Sequence, residues 1–376
     1  KNKPLLESLT SLNYESSRTP LFLIIHKYNF FINEIQDLRV TTFVFGILIL
    51  FFYFLCLKKI YKNEEFSLLL LISSLILLSP YLRSSVYWAN QEHLSILFLI
   101  LSLIFLHSSQ NENLKDNIIS IYLFPVLSSL FAFLAFYSDQ KLFFISAIVY
   151  FFFIKNKPAS FFFCYSLINF LFFIPALYLF YIWGNIVPIE SQFRLGITLS
   201  NINIFISNIG IYFIPFFLMI FFQRKYENLK LNQSQVFFII LSALILLFTL
   251  PLEPSQEGGG IIFRFLSLMY LKGLFKLDWA IFKIVYLIIN IIFLYFVAIF
   301  LRSSLKNIFI LSSLGLIFYL TYFSYQSYVD PIFLIMIYTL LDTKNTNLTS
   351  PKLVYISFIF YSLILVNSLL FRLYII

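Results

Sequence analysis

Twelve apolar runs, separated by short polar connections, occupy most of the chain: 38–57, 66–82, 89–107, 118–136, 141–155, 160–183, 207–223, 235–251, 278–301, 307–325, 328–342 and 353–373. Crossing a hydrocarbon core of about 30 Å takes about 20 apolar residues in a helix, so most of these runs are sized for a membrane. The runs at 141–155 and 328–342 are short. Short spans read as helices that start below the interface beside a water-filled cavity, because lipid does not tolerate exposed backbone. Only 11% of residues are charged, where soluble domains carry roughly a quarter, so water is not the main solvent. The expected fold is all-α, a polytopic transmembrane helix bundle of about 12 spans with amphipathic interfacial helices on its outward side. One transmembrane domain covers 1–376, with 1–37 a first outward loop and 38–376 the bundle. The polar start at Lys1 leads us to expect a further helix upstream.

Fifty-one Phe against nine Gly make the apolar surface bulky, so close glycine-mediated helix crossings should be rare and no GxxxG seam is expected. The net charge of +9 is spread in pairs between apolar segments and forms no continuous basic face, which argues against nucleic acid. Short basic connections carry Lys58, Lys59, Lys62, Lys115, Lys155, Lys157, Arg224, Lys225, Lys230, Arg302, Lys306 and Lys344, and this side reads as cytoplasmic. The alternate connections hold most of the acids and would face the periplasm or lumen. Two sequons, at Asn232 and Asn347, fall on the inward side and are read as chance matches. Cys56 and Cys164 both lie in apolar runs and make neither a disulfide framework nor a metal site.

Ionised side chains near the bilayer centre cost at least about 2.5–3.5 kcal/mol, so acids and bases at helix ends are candidates for a site. Thr19 and Pro20 can start a surface helix through Phe31 that carries His26 and Lys27, just after Arg18. Arg83 and Glu92 flank a tight outward turn and can form an ion pair. Tyr137 to Lys141 joins two apolar helices with almost no loop and holds Asp139, Gln140 and Lys141 near the membrane plane; a bare turn explains this equally. Trp183 and Gly184 end a long helix, and Pro188 forces a loop containing Glu190 and Arg194, whose guanidinium suits a phosphate. Gly258 to Gly260 permit close backbone approach or form a linker, and Arg264 and Lys272 follow on a stretch read as interfacial. Tyr325 to Pro331 places Asp330 at a helix start, where the dipole favours an acid without any catalysis. No Walker loop, dinucleotide fingerprint, HExxH or serine elbow is present.

In this order the segments resemble the GT-C superfamily of membrane glycosyltransferases, in particular the dolichyl-phosphate-glucose alpha-1,2-glucosyltransferases and their bacterial relatives. The resemblance rests on Thr19 to Phe22, Pro80 to Glu92, Tyr137 to Lys141, Trp183 to Pro188 and Tyr325 to Pro331. It implies sugar transfer from a polyprenyl-phosphate-linked donor, dolichyl or undecaprenyl, to a glycan, lipid or protein acceptor at the lumenal or periplasmic face. The membrane would be the endoplasmic reticulum or a bacterial inner membrane. By the resemblance the acidic motif of the family falls at or before residue 1, which leaves Glu7 and Glu15 as the catalytic carboxylates within the chain. Arg18, Arg83, Glu92, Asp139, Gln140, Lys141, Trp183, Glu190, Arg194, Tyr325 and Asp330 would bind substrate. The family's Arg-Gln hinge appears here as Asp139-Gln140-Lys141, which keeps the Gln and displaces the charge. No cofactor is specified, and the chemistry leaves room for a divalent metal. A transporter or flippase of lipid-linked glycans, or an oligosaccharide-repeat polymerase, shares the hydrophobicity and outward loops; a transporter should carry polar residues along its whole central pathway.

Overall fold

The computed structural model describes residues 7, 9, 19–28, 34–87, 90–110, 119–155, 157–188, 192, 195–223, 231, 233–255, 259–273, 278–302, 304–321, 326–343 and 347–375. Among them the fold is helical, with two isolated β-bridges and no strand. The chain forms two compact units, one of residues 1–74 and 82–193, the other of 75–81 and 194–376.

The first unit holds α1 (Leu21–Tyr28), α2 (Ile35–Ile60), α3 (Phe66–Ser74), α5 (Glu92–Ser109), α6 (Phe124–Ser138), α7 (Phe143–Ile154) and α8 (Ala159–Trp183), with α4 (Pro80–Tyr87) joining at Leu82. The second holds α9 (Asn201–Gly210), α10 (Ile214–Phe222), α11 (Gln233–Phe248), α12 (Gly260–Leu271), α13 (Trp279–Phe300), α14 (Leu305–Tyr319), α15 (Ile332–Thr339) and α16 (Pro351–Ile375).

Among the described residues seven helices are long and apolar enough to cross a membrane: Gln36–Ile60, Glu92–Ser109, Ile121–Ser138, Ala159–Trp183, Asn201–Phe222, Trp279–Phe300 and Pro351–Leu369. This is a multi-pass membrane protein. Its exposed side chains agree, since α8 turns Phe163, Phe170 and Tyr181 outward at 71%, 55% and 84% exposure, a surface that water would not tolerate. Where the sequence led us to count about 12 spans, the remaining apolar helices are shorter, at 10–17 residues: Phe66–Leu78, Gln140–Ile154, Gln235–Phe248, Gly260–Leu271 and Leu305–Tyr319. The run at 328–342 yields only the eight residues of α15, all buried, and about 12 Å of helix reaches less than half a bilayer. The stretch after Gly260, read as interfacial, is a twelve-residue apolar helix with Phe263 and Leu266 packed against Trp279, Phe282 and Tyr286 of α13.

Polar atoms knit the helices where the apolar sequence offers only dispersion. Ser102 and Ser128 each donate to the other's carbonyl at 2.8 Å across the α5–α6 crossing. In the second unit Asn203 donates to the Leu246 carbonyl at 3.0 Å and to Thr249 Oγ1 at 2.8 Å, and accepts from Asn290 at 3.0 Å. Such bonds between helices are worth about 0.6–2 kcal/mol each in lipid.

Glycine-mediated contact, expected from composition to be rare, occurs at single sites. A methyl on Gly210 would stand 2.2 Å from Phe293 Cγ. Gly210 therefore sets how closely α9 approaches α13. Gly210→Ala should lower stability by about 1–3 kcal/mol through overpacking, read as a fall in thermal midpoint in detergent; adding Phe293→Ala should recover part of it.

Candidate functional site

The recessed end of the α5–α6 pair gathers the polar residues of the first unit. These helices run antiparallel, with Phe98 beside Phe131, Ser102 opposite Ser128 and Phe105 beside Phe124, so the start of α5 lies level with the end of α6. Gln91, Glu92 and His93 thus share one end with Asp139, Gln140 and Lys141. Gln91, His93 and Asp139 are buried, and Glu92, Gln140 and Lys141 half-buried. Asp139 ends α6 and caps the tight turn Gln140–Leu142, its Oδ1 accepting from the Lys141 backbone at 3.3 Å. Lys141 Nζ stands 3.2 Å from Asp139 Oδ2, an ionic contact without hydrogen-bond alignment.

This polar floor lies well inside the bundle. α2 runs parallel to α5: Lys59 Nζ bonds Ser108 Oγ at one end, and the His93 ring lies 3.4 Å from where Gly46 would carry a methyl. The ten residues of α2 before Gly46, Gln36 to Phe45, therefore rise about 15 Å past the floor. α8 forms a second wall. Pro175 lacks the N–H of a normal helix residue and kinks the ladder, and the Tyr137 hydroxyl enters the gap, accepting from Ala176 N–H at 3.2 Å and donating to the Phe172 carbonyl at 2.6 Å. Tyr137 is thereby level with Ala176, and α8 continues about 10 Å further to Trp183. The Gly184 backbone, at φ 64°, turns the chain there.

α1 closes this end. The Thr19 hydroxyl donates to the Phe136 carbonyl at 3.1 Å, one turn before Asp139. His26, 7% exposed, packs edge-on against Phe22, and neither ring nitrogen has a hydrogen-bond partner among the described residues. Burial holds the His26 imidazole below its ordinary value of 6.5. The opposite end of this unit carries Lys58, Lys59, Lys155 and Lys157, the basic side read from the sequence.

The structure brings Glu92, Asp139, Gln140, Lys141 and Trp183 to one end of the unit. Trp183 is buried against Leu9 and Leu179 and does not sit in the open interface. Arg83 is exposed on α4, and Glu7 is exposed. Glu15, Arg18, Glu190, Arg194 and Tyr325 lie outside the described residues.

Asp330 belongs to a different centre, in the second unit. Its Oδ1 accepts from the Tyr212 hydroxyl at 2.7 Å and its Oδ2 from the Ser79 hydroxyl at 2.5 Å. Tyr212 is eleven residues from one end and ten from the other of the span Asn201–Phe222, so Asp330 lies near mid-span, deeper than the outward helix start at which its sequence position had placed it. Ser79, Tyr212 and Tyr361 were not singled out from the sequence. A Ser-Pro step after an apolar run, and tyrosines in the middle of others, are the signals that point to them.

Among the described residues no three His, Cys, Asp or Glu side chains converge as metal ligands. No protein-family model, curated protein or solved structure matches the chain.

Two outcomes test this geometry. Tyr137→Phe strips the bridge from the α8 kink and should destabilise by about 1–3 kcal/mol, the penalty for buried unpaired backbone groups, read from thermal unfolding. The lowered His26 pKa means that undocked α1 binds the proton more readily than docked α1. Docking should thus be complete above the ordinary 6.5 and weaken as pH falls below it. Hydrogen exchange of residues 21–28 should rise with acid in the native chain and stay flat in His26→Phe.

Proposed function

We propose that this chain is a membrane glycosyltransferase that moves a sugar from a polyprenyl-phosphate donor to an acceptor hydroxyl. The observation that carries the reading is the recessed polar floor, in which Glu92, Asp139, Gln140 and Lys141 lie below the ends of α2 and α8 with α1 tied beside them. A lipid-borne phosphate needs such a place: reachable from the bilayer, furnished with a cation, and shielded from bulk water. Lys141 would steady the departing phosphate. A carboxylate would take the acceptor proton, Glu92 being set in the floor and Glu7 and Glu15 being the candidates by family resemblance. Proton transfer of this kind contributes about 10²–10⁴-fold. A single displacement would invert the sugar.

A second reading, transport of lipid-linked glycans, is favoured by one observation, the Asp330 carboxylate at mid-span. Intramembrane acids of that depth commonly mark a pathway.

Proteoliposomes given radiolabelled polyprenyl-phosphate hexoses separate the two. Lys141→Ala and Glu92→Gln should each slow transfer by about 10²-fold, and Arg83→Ala less. Since Lys141→Ala also bares Asp139, the doubly neutral Lys141→Met with Asp139→Asn should fold normally and remain slow. Full transfer in every variant, or lipid translocation without transfer, sinks the enzyme reading.

A further inference from the structure

α11 and α13 run antiparallel and are fastened near both ends. Gln235 Nε2 at the start of α11 donates to the Ala298 carbonyl at 2.6 Å, and the Trp279 indole at the start of α13 donates to the Leu252 carbonyl at 2.9 Å. Between these clasps Asn203 holds both helices, through the Leu246 carbonyl and the Asn290 side chain. From the Gln235 clasp inward the two helices leave a groove of about 280 Å³. Half-buried Ile239, Ile291 and Tyr295 form its base, and exposed Val236, Ile240 and Ile292 its rim. Five of its seven lining residues are Val or Ile, whose branched Cβ holds one χ1 in a helix, so none swings across to close the gap. The rings nearby, Phe237 and Phe238, are exposed and line no part of it.

The walls decide what can lie there. Ordered water needs about two to four polar partners, and the lining side chains are apolar apart from the Tyr295 hydroxyl. α13 crosses the membrane and the rim is exposed, so hydrocarbon is the solvent at hand. An apolar cavity of about 150 Å³ takes up benzene, and this groove, at nearly twice that volume, accommodates a length of acyl chain. Leu231, the seventh lining residue, precedes α11, and α13 continues only from Tyr295 to Phe300, about 8 Å. The groove therefore opens toward this end of the second unit. The charge at this end is basic. Arg302 is exposed and forms no ion pair among the described residues, while the Asp342 carboxylate is engaged by Lys306 Nζ at 2.7 Å. The Arg302 N–H donates to the Asp342 carbonyl at 3.1 Å, so both cations stand together just past α13. Basic pockets between membrane helices take up anionic lipid headgroups.

We propose that the groove between α11 and α13 binds one anionic glycerophospholipid, with an acyl chain along Ile239 and Ile291 and the headgroup phosphate at Arg302. The site is independent of the sugar-transfer reading, because it shares no residue with the polar floor and its test measures no transfer.

The test titrates the full chain, stripped of lipid in detergent, with phosphatidylglycerol or phosphatidylcholine of the same acyl chains, and counts bound lipid by native mass spectrometry. One phosphatidylglycerol per chain should be retained, half-saturating at least about fivefold below phosphatidylcholine, the worth of one basic residue beside an anionic headgroup. Arg302→Gln should bring the two lipids level by weakening phosphatidylglycerol alone. Ile239→Phe and Ile291→Phe fill the groove and should lower retention of both lipids. Should either fail to fold, Val236→Phe and Ile240→Phe at the exposed rim narrow the entrance and give the same reading with smaller shifts. Leu247→Phe, exposed on α11 outside the groove, should leave retention as in the native chain. Equal retention of both lipids by the native chain overturns the proposal, as does undiminished retention in the groove variants. A lipid-free dimer, which would give the groove to a second copy of the chain, overturns it as well.

Discussion

Every backbone group that leaves its helical partner inside this bundle must find another, because neither lipid nor the apolar core supplies one. The pairing of Tyr137 with α8 shows how that constraint builds the site. Pro175 opens the ladder between Ala176 and Phe172, and one phenolic hydroxyl, acting as both acceptor and donor, closes it from the neighbouring helix. The repair is local, but its effect is positional. It fixes the last turn of α6 against α8 two residues before Asp139, so the short hinge that follows has no freedom to wander. Thr19 fastens α1 to the same turn by the same economy, one hydroxyl on one carbonyl.

Much of the helical architecture is legible in the apolar runs, since length and composition alone decide that Gln36–Ile60, Ala159–Trp183 or Trp279–Phe300 can cross a membrane. The run at 328–342 is as apolar as these and yet gives an eight-residue helix that never meets lipid. Hydropathy measures transfer out of water and is blind to whether the new surroundings are lipid or protein. Glycine posed a different difficulty. Nine glycines cannot make a repeated seam, but one, at Gly210, suffices to bring two helices together, and composition says nothing about single contacts.

The candidate site was partly legible for a related reason. Asp139, Gln140 and Lys141 stand out because almost no loop separates two apolar helices, so their closeness to the membrane follows from chain length alone. Their depth does not follow. It comes from α2 and α8 outrunning α5 and α6, a comparison between helices that pair only in space. Asp330 reads from its neighbours in the chain as a helix start, which suggests an interface, whereas its hydrogen bonds attach it to the middle of a span. A helix start lies at the surface only when its helix crosses the bilayer, and α15 is too short to do so.

Two carboxylates illustrate the solutions open to a chain with so little charge. Asp139 sits at a helix end, where a lysine two residues on can fold back to it while its stem stays among apolar neighbours. Asp330 sits mid-span and accepts from two hydroxyl donors, those of Ser79 and Tyr212. Hydroxyls steady a carboxylate without neutralising it. The first arrangement brings its own counter-charge. Which chemistry a buried acid can serve is thus decided by the identity of its donors before any substrate arrives.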